Sequence, residues 1–267
     1  SKFPQIDAFS AMLLGYSSKK TIFAFLNRKQ MELKKHIPNA ITCGNLVSGC
    51  FSILFIASGM PVKAAIMIIV AGLFDFLDGF AARALNAHSP IGPDLDSLSD
   101  VVSFGVAPGL IMCYLMNNAI DLPRVTLDGI DLMPCLAFLL PVFAAIRLAR
   151  FNIDETQQFA FRGIPAPGMA IFVASLPLAL AQMGHLTDGA LGFWACLGIT
   201  ILLSLMMVSN LRFFSFKMKA LAWKGNQVRW IFLAIAVVGL AIFKMVALPF
   251  VLIIYILMSI FFAGKME

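Results

Sequence analysis

The chain has 267 residues, of which 60% are hydrophobic and only 13% charged, against roughly 45–50% and about 25% in ordinary soluble domains. Its mean hydropathy of +0.90, with several apolar runs near the ~20 residues that cross a ~30 Å hydrocarbon slab, excludes a water-soluble globule. The net charge of +6 points to anionic headgroups and the cytoplasmic ends of spans, and without a lysine-rich run interleaved with aromatics no nucleic-acid partner is expected.

The apolar runs are apolar on every face, so they read as helices and not as the alternating strands of a membrane barrel. An all-α, polytopic membrane bundle of about eight transmembrane helices is expected. Residues 1–30 mix Lys19, Lys20, Arg28 and Lys29 with scattered aromatics and lack the apolar core and cleavage site of a signal peptide. They read as an N-terminal segment on the membrane surface. Because Met31 opens MELKKHIPNAIT in the manner of a native start, they also read as a fusion remnant. Residues 31–267 are then one membrane domain, with spans expected at about 37–59, 62–86, 94–118, 133–153, 165–184, 189–210, 228–243 and 245–263. Only Lys244 parts the last two, which read as a tight helical hairpin or one kinked element. Seventeen of the twenty Lys and Arg fall on one side of this arrangement, leaving Lys63, Arg124 and Lys244 on the other. That asymmetry places both termini in the cytoplasm. The five cysteines are scattered without metal-site spacing and read as packing residues. His36, His88 and His185 flank the membrane or lie in a loop, and none is expected to be catalytic.

Acids are rare in spans because one carboxylate at the bilayer centre costs about 2.5–3.5 kcal/mol even on a lenient scale. Four nevertheless stand near one membrane face. Asp75 and Asp78 are three residues apart at the end of the second span, and Asp96 and Asp100 are four apart at the start of the third. Each pair projects from one side of its helix. Asn86, Ser89, Pro90, Gly92 and Pro93 turn the chain between them, so the two pairs can face each other across antiparallel neighbours. One alternative is that single acids cap helices or pair with interfacial arginines, and Asp94, in the first turn after Pro93, reads that way. For four together, the summed cost calls for a compensating cation. Oxygen-only ligands suit hard ions such as Mg²⁺ or Mn²⁺, and a pair of such ions is the usual clamp for displacement at phosphorus. Gly79 and Ala82 give the second span a smooth patch where a substrate can approach the backbone.

The pattern Asp75-x2-Asp78-Gly79-x2-Ala82-Arg83-x8-Gly92-x3-Asp96-x3-Asp100 resembles the CDP-alcohol phosphotransferase signature at every fixed position. The resemblance implies a six-helix core that commonly forms a homodimer. It implies that Asp75, Asp78 and Asp96 bind two divalent cations, and that Asp100 contacts metal and acts as base on the acceptor alcohol. It places Gly79, Ala82, Arg83 and Gly92 in the CDP-binding part of the motif. The blocks HIPNAITCGNL, DSLSDVVSFGVAPG, IRLARFN, FRGIPAPG and SNLRFFSFK are similar to those of bacterial integral-membrane phosphatidylserine synthases. That likeness implies CDP-diacylglycerol and L-serine as substrates, membrane lipid as surroundings, CMP as leaving group, and the bacterial inner membrane as location.

Asn39, Thr42 and Asn45, at the start of the first span, are candidates to line the nucleotide pocket, although Asn39 after Pro38 also reads as a helix cap. A serine carboxylate needs a cation, for which Arg147, Arg150, Arg162, Arg212 and Lys217 are candidates; each also fits lipid phosphate or the positive-inside bias. A same-family enzyme acting on glycerol phosphate or inositol phosphate, and a cation transporter, are the competing readings. A transporter would place its acids near the midplane in broken helices of related halves.

Overall fold

The computed structural model of the protein describes residues 19–87, 89–153, 163–186, 189, 191–211 and 227–262, with backbone alone at 19–35, 228–229 and 260–262. Helix α1 is Lys19–Ala57, α2 is Pro61–Leu85, and α3 runs from Gly92 to Asn117 with a π-helical turn at Val102–Val106. A two-stranded hairpin, β1 (Thr126–Leu127) and β2 (Ile130–Asp131), precedes α4, which opens as a 3₁₀ turn at Met133–Phe138 and continues as Leu139–Ile153. Helices α5 (Ala166–Met183), α6 (Phe193–Val208), α7 (Gln227–Phe243) and α8 (Ala247–Phe262) follow. The chain is a polytopic helical membrane protein.

Six stretches among the described residues are long and apolar enough to cross a membrane, and the last of them, Trp230–Ser259, contains most of α7 and α8. Phe193–Val208 is as apolar but shorter. The two final helices form a hairpin: Lys244 turns the chain at φ 52°, and Phe232 meets Tyr255 with ring centroids 5.8 Å apart. Gln182, at the end of α5, holds the tip by donating to the Phe243 carbonyl at 3.0 Å and accepting from the Met245 N–H at 2.7 Å. Of the two forms the sequence allowed for this pair, the chain adopts the hairpin.

The beginning of α1 departs from expectation. The apolar span begins at His36, as expected, but the helix that carries it starts earlier and runs unbroken from Lys19 through Pro38. Proline removes one helical N–H but does not end a helix whose neighbours hold it. Asn39 therefore lies inside a helix and is not an N-cap, which corrects that alternative.

Helices α3 and α5 form the centre, with 61% of the most apolar window of each buried, whereas the final hairpin, at 17%, is peripheral. Small side chains let the helices approach. Ala64, Ala65, Ile68 and Ala71 of α2 are fully enclosed with Phe104, Ala107 and Ile111 of α3 and Ala170 and Val173 of α5. On α1, Thr42, Asn45, Gly49 and Ser52 recur at helical spacing and turn inward. The Ser52 hydroxyl donates to the Ala64 carbonyl at 2.8 Å. A Cβ added at Gly49 would lie 2.9 Å from Ser103 Cα and nearer still to its Oγ, so this glycine sets the distance between α1 and α3. Gly49→Ala should therefore destabilise the fold by about 1–3 kcal/mol. In Gly72→Ala the nearest atom would be Phe104 Cε1 at 4.0 Å. Thermal unfolding in detergent should show a lower midpoint for the first variant and not the second; equal midpoints would contradict this packing.

Candidate active site

The end of α2, the start of α3 and the middle of α1 meet at one end of the bundle. The turn from α2 is closed by Asn86 in the left-handed conformation (φ 48°), and Gly92 and Pro93 start α3. This reversal sets Asp75 and Asp78 opposite Asp96. Each of these three carboxyl groups offers an oxygen, and the three oxygens lie within 4.8 Å of one another. Like charges at that separation repel by about 3–4 kcal/mol per pair at an effective dielectric near 20. Among the described residues no cation pairs with them: the one ion pair there is Arg124–Asp131, in the loop around the β-hairpin. Asp78 Oδ2 and Asp96 Oδ1 are buried without any hydrogen-bond partner. Unpartnered, converging carboxylate oxygens fit a hard divalent cation, and the cluster lacks the sulfur or imidazole that softer metals take.

Asp100 stands one helical turn further along α3, outside the three-oxygen cluster but within electrostatic reach of all three acids. It is 6% exposed. Asn45 Nδ2 donates to Asp100 Oδ1 at 3.1 Å, and the Ser103 hydroxyl donates to the Asn45 carbonyl at 3.0 Å. Ser103 belongs to the π-helical turn that begins two residues after Asp100. Such turns re-aim side chains and recur at functional sites. The carboxyl group is thus fixed from α1 through an amide that is itself tied back to α3.

Beside the acids lies a cleft of about 340 Å³ lined by Pro38, Asn39, Thr42, Asp78, Gly79, Ala82, Ala87, Ser89, Gly92, Pro93 and Asp96. Its α2 wall is bare at Gly79, where an added Cβ would find only the Arg83 guanidinium, at 3.9 Å. Asn39 Nδ2 donates to Ser89 Oγ at 3.0 Å and joins α1 to the interhelical turn. The Thr42 hydroxyl donates to the Pro38 carbonyl at 3.0 Å and stands next to Asp78.

The expected residues thus divide into two places. Asn39, Thr42, Gly79, Ala82 and Gly92 share the cleft with Asp78 and Asp96, and Arg83 stands exposed at its α2 edge. Asn45, expected in the nucleotide pocket, is instead fully buried against Asp100, because three more residues along α1 carry it past the cleft. Arg147 is in electrostatic contact with Asp100 from α4, whereas Arg150 is exposed. Arg162, Arg212, Lys217 and His88 lie outside the described residues. Sequence reasoning missed Ser89 and Ser103. Ser89 sits in the polar turn between the acid pairs, and Ser103 is one helical turn from Asp100, which is the signal that could have flagged each. It also missed the bond from Asn152 Nδ2 to Ser97 Oγ (2.9 Å), which ties the end of α4 to the start of α3.

A helical membrane bundle that gathers acids from adjacent helices at one end, beside a smooth-walled polar cleft, is an integral-membrane protein built around an acid cluster that could hold a metal ion. A family model described as CDP-alcohol phosphatidyltransferase matches residues 35–208, from within α1 to the end of α6, including the four acids and the cleft beside them. The chain belongs to the CDP-alcohol phosphatidyltransferase family and is an enzyme of that class. It is 36% identical over 182 residues to the CDP-diacylglycerol–serine O-phosphatidyltransferase of Helicobacter pylori strain J99, covering 67% of this chain and 72% of that one. It is 34% identical over 201 residues to the Bacillus subtilis protein of the same name, covering 73% of this chain and 98% of that one. The archaetidylserine synthase of Methanothermobacter thermautotrophicus is 30% identical over 191 residues, with 70% and 73% covered.

Proposed function

We propose that the enzyme transfers the phosphatidyl group of CDP-diacylglycerol to the hydroxyl of L-serine, releasing CMP. The observation that carries this reading is the convergence of three carboxylates, with Asp78 Oδ2 and Asp96 Oδ1 buried and unpartnered among the described residues, beside a fourth, Asp100, that accepts from the Asn45 amide. Serine as acceptor is supported by the relatives, whose names share a serine-bearing product although one makes an archaeal lipid.

In this reading the nucleotide and its pyrophosphate occupy the cleft between Asn39, Thr42, Gly79, Ala82 and Gly92, with Arg83 at the rim. Asp75, Asp78, Asp96 and Asp100 would hold two divalent cations, Mg²⁺ or Mn²⁺, which when bound supply charge neutralisation of the pyrophosphate and of departing CMP. Asp100 takes the proton of the serine hydroxyl. The serine oxygen forms its bond to the phosphorus that bears diacylglycerol, the bond from that phosphorus to the CMP oxygen breaks, and CMP carries away the bonding pair. Asn45 keeps the Asp100 carboxylate turned towards the reacting oxygen.

The acids lie at the ends of α2 and α3, so the acyl chains can remain in lipid while serine and cytidine arrive from water. The charge asymmetry of the sequence favours the cytoplasmic side for that end, and the resemblance to bacterial synthases implies the bacterial inner membrane. A homodimer, implied by the family resemblance, belongs to the same reading.

An acceptor panel tests it. Purified enzyme in detergent with CDP-diacylglycerol should release CMP with L-serine and not with glycerol 3-phosphate or inositol phosphate, and EDTA should stop the release until Mg²⁺ or Mn²⁺ is restored. Release driven by a phosphorylated alcohol would move the assignment within the family. Ion flux through proteoliposomes without CMP release would favour transport.

A further inference from the structure

The unpartnered groups around Asp100 are of two opposite kinds. Asn45 spends its amide N–H on Asp100 and leaves Oδ1, a hydrogen-bond acceptor, buried without a donor among the described residues, in a residue that is 0% exposed. Arg147, a partly exposed residue that faces Asp100 from α4, buries its Nε, a donor, without a hydrogen-bond partner and makes no ion pair among the described residues. Leaving such groups unsatisfied in a closed interior costs about 1–3 kcal/mol each, more for a charged one. Neither lines the cleft that holds Asn39 and Gly79, so a ligand satisfying both would sit next to Asp100 and outside that cleft.

We propose that Asn45 and Arg147 form the acceptor pocket and read a zwitterion, the Asn45 amide oxygen taking the α-ammonium of the amino acid and the Arg147 guanidinium its α-carboxylate. In serine both charges sit on the carbon next to the hydroxymethyl group, so anchors on either side of Asp100 present the hydroxyl to it. The same pair disfavours a phosphorylated alcohol, because the amide oxygen would face a dianion and has no proton to offer. The assignment rests on the serine reading above, and it moves Asn45 from nucleotide binding to acceptor specificity.

The test compares kcat/KM for CMP release with L-serine, with 3-hydroxypropanoate, which lacks the ammonium, and with ethanolamine, which lacks the carboxylate. The wild-type enzyme should prefer serine to each by about 10–100-fold, the worth of one hydrogen bond to a charged group. Asn45→Ala should collapse the serine to 3-hydroxypropanoate ratio and spare the serine to ethanolamine ratio; Arg147→Gln should do the reverse. A merely structural role lowers all three rates together and leaves both ratios unmoved, which would overturn the assignment. Should the variants not fold, the wild-type ratios alone decide: equal use of 3-hydroxypropanoate and serine also overturns it. A wild-type enzyme active on serine with unmoved ratios in the variants rejects this assignment alone, whereas one inert towards serine rejects the functional reading with it.

Discussion

Asp100→Asn should lower the rate of CMP release by about 10²–10⁴-fold, the usual worth of a positioned base, while CDP-diacylglycerol still binds. The substitution is close to isosteric, and the new amide oxygen can still accept the Asn45 N–H that now reaches Asp100 Oδ1 at 3.1 Å. What it removes is the capacity to take a proton and one of the four charges that would hold the cations, while Asp75, Asp78 and Asp96 keep the other three. Because Asp100 lies outside the cleft and outside the cluster of three oxygens, the nucleotide site should survive. Calorimetric titration with the CDP-lipid alongside the rate measurement separates the two effects. A loss of lipid affinity as large as the loss of rate would show that Asp100 serves binding and not proton transfer.

Asp75→Ala and Asp96→Ala should each weaken Mn²⁺ binding by at least about tenfold, since changing even an outer-shell partner of a metal ligand typically costs 10–100-fold. The three oxygens lie within 4.8 Å of one another and have no ion-pair partner among the described residues, so removing one takes away both a ligand and part of the attraction for a cation. Asp94→Ala provides the control. Asp94 is an exposed acid in the first turn of α3, two residues from Asp96 yet outside the cluster. Paramagnetic resonance of free Mn²⁺ gives the affinity without turnover. Unchanged affinity in both cluster variants, or an equal fall in Asp94→Ala, would contradict the ligand assignment.

The acid pairs could be read from the sequence because charge in an apolar run is costly enough to demand a reason, and because spacings of three and four place side chains on one helix face. The turn between them was readable from Ser89, Pro90, Gly92 and Pro93 for similar local reasons. What stayed hidden depends on contacts across long stretches of chain. Asn39 meets Ser89, Asn45 meets Asp100, and Ser103 meets the Asn45 carbonyl across separations of 50, 55 and 58 residues, which no periodicity encodes. Asn39, Thr42 and Asn45 looked equivalent as polar residues at one end of a span. Only the packing of α1 against α3, set at Gly49 and Ser103, sends Asn45 to Asp100 and leaves the other two in the cleft. The unbroken passage of α1 through Pro38 was equally invisible, since proline more often stands at the first position of a helix than inside one. Lys244 carried the hairpin reading only as one of two options, and its left-handed backbone together with the hold of Gln182 decides between them.

The central claim is that acids from α2 and α3 face one another to hold hard cations, and anomalous diffraction tests it most directly. Crystals grown in Mn²⁺ with data collected at the manganese edge should show density between the carboxylates of Asp75, Asp78 and Asp96, and it should vanish in Asp96→Ala. A map without that peak, or with manganese only at surface sites, would contradict the account.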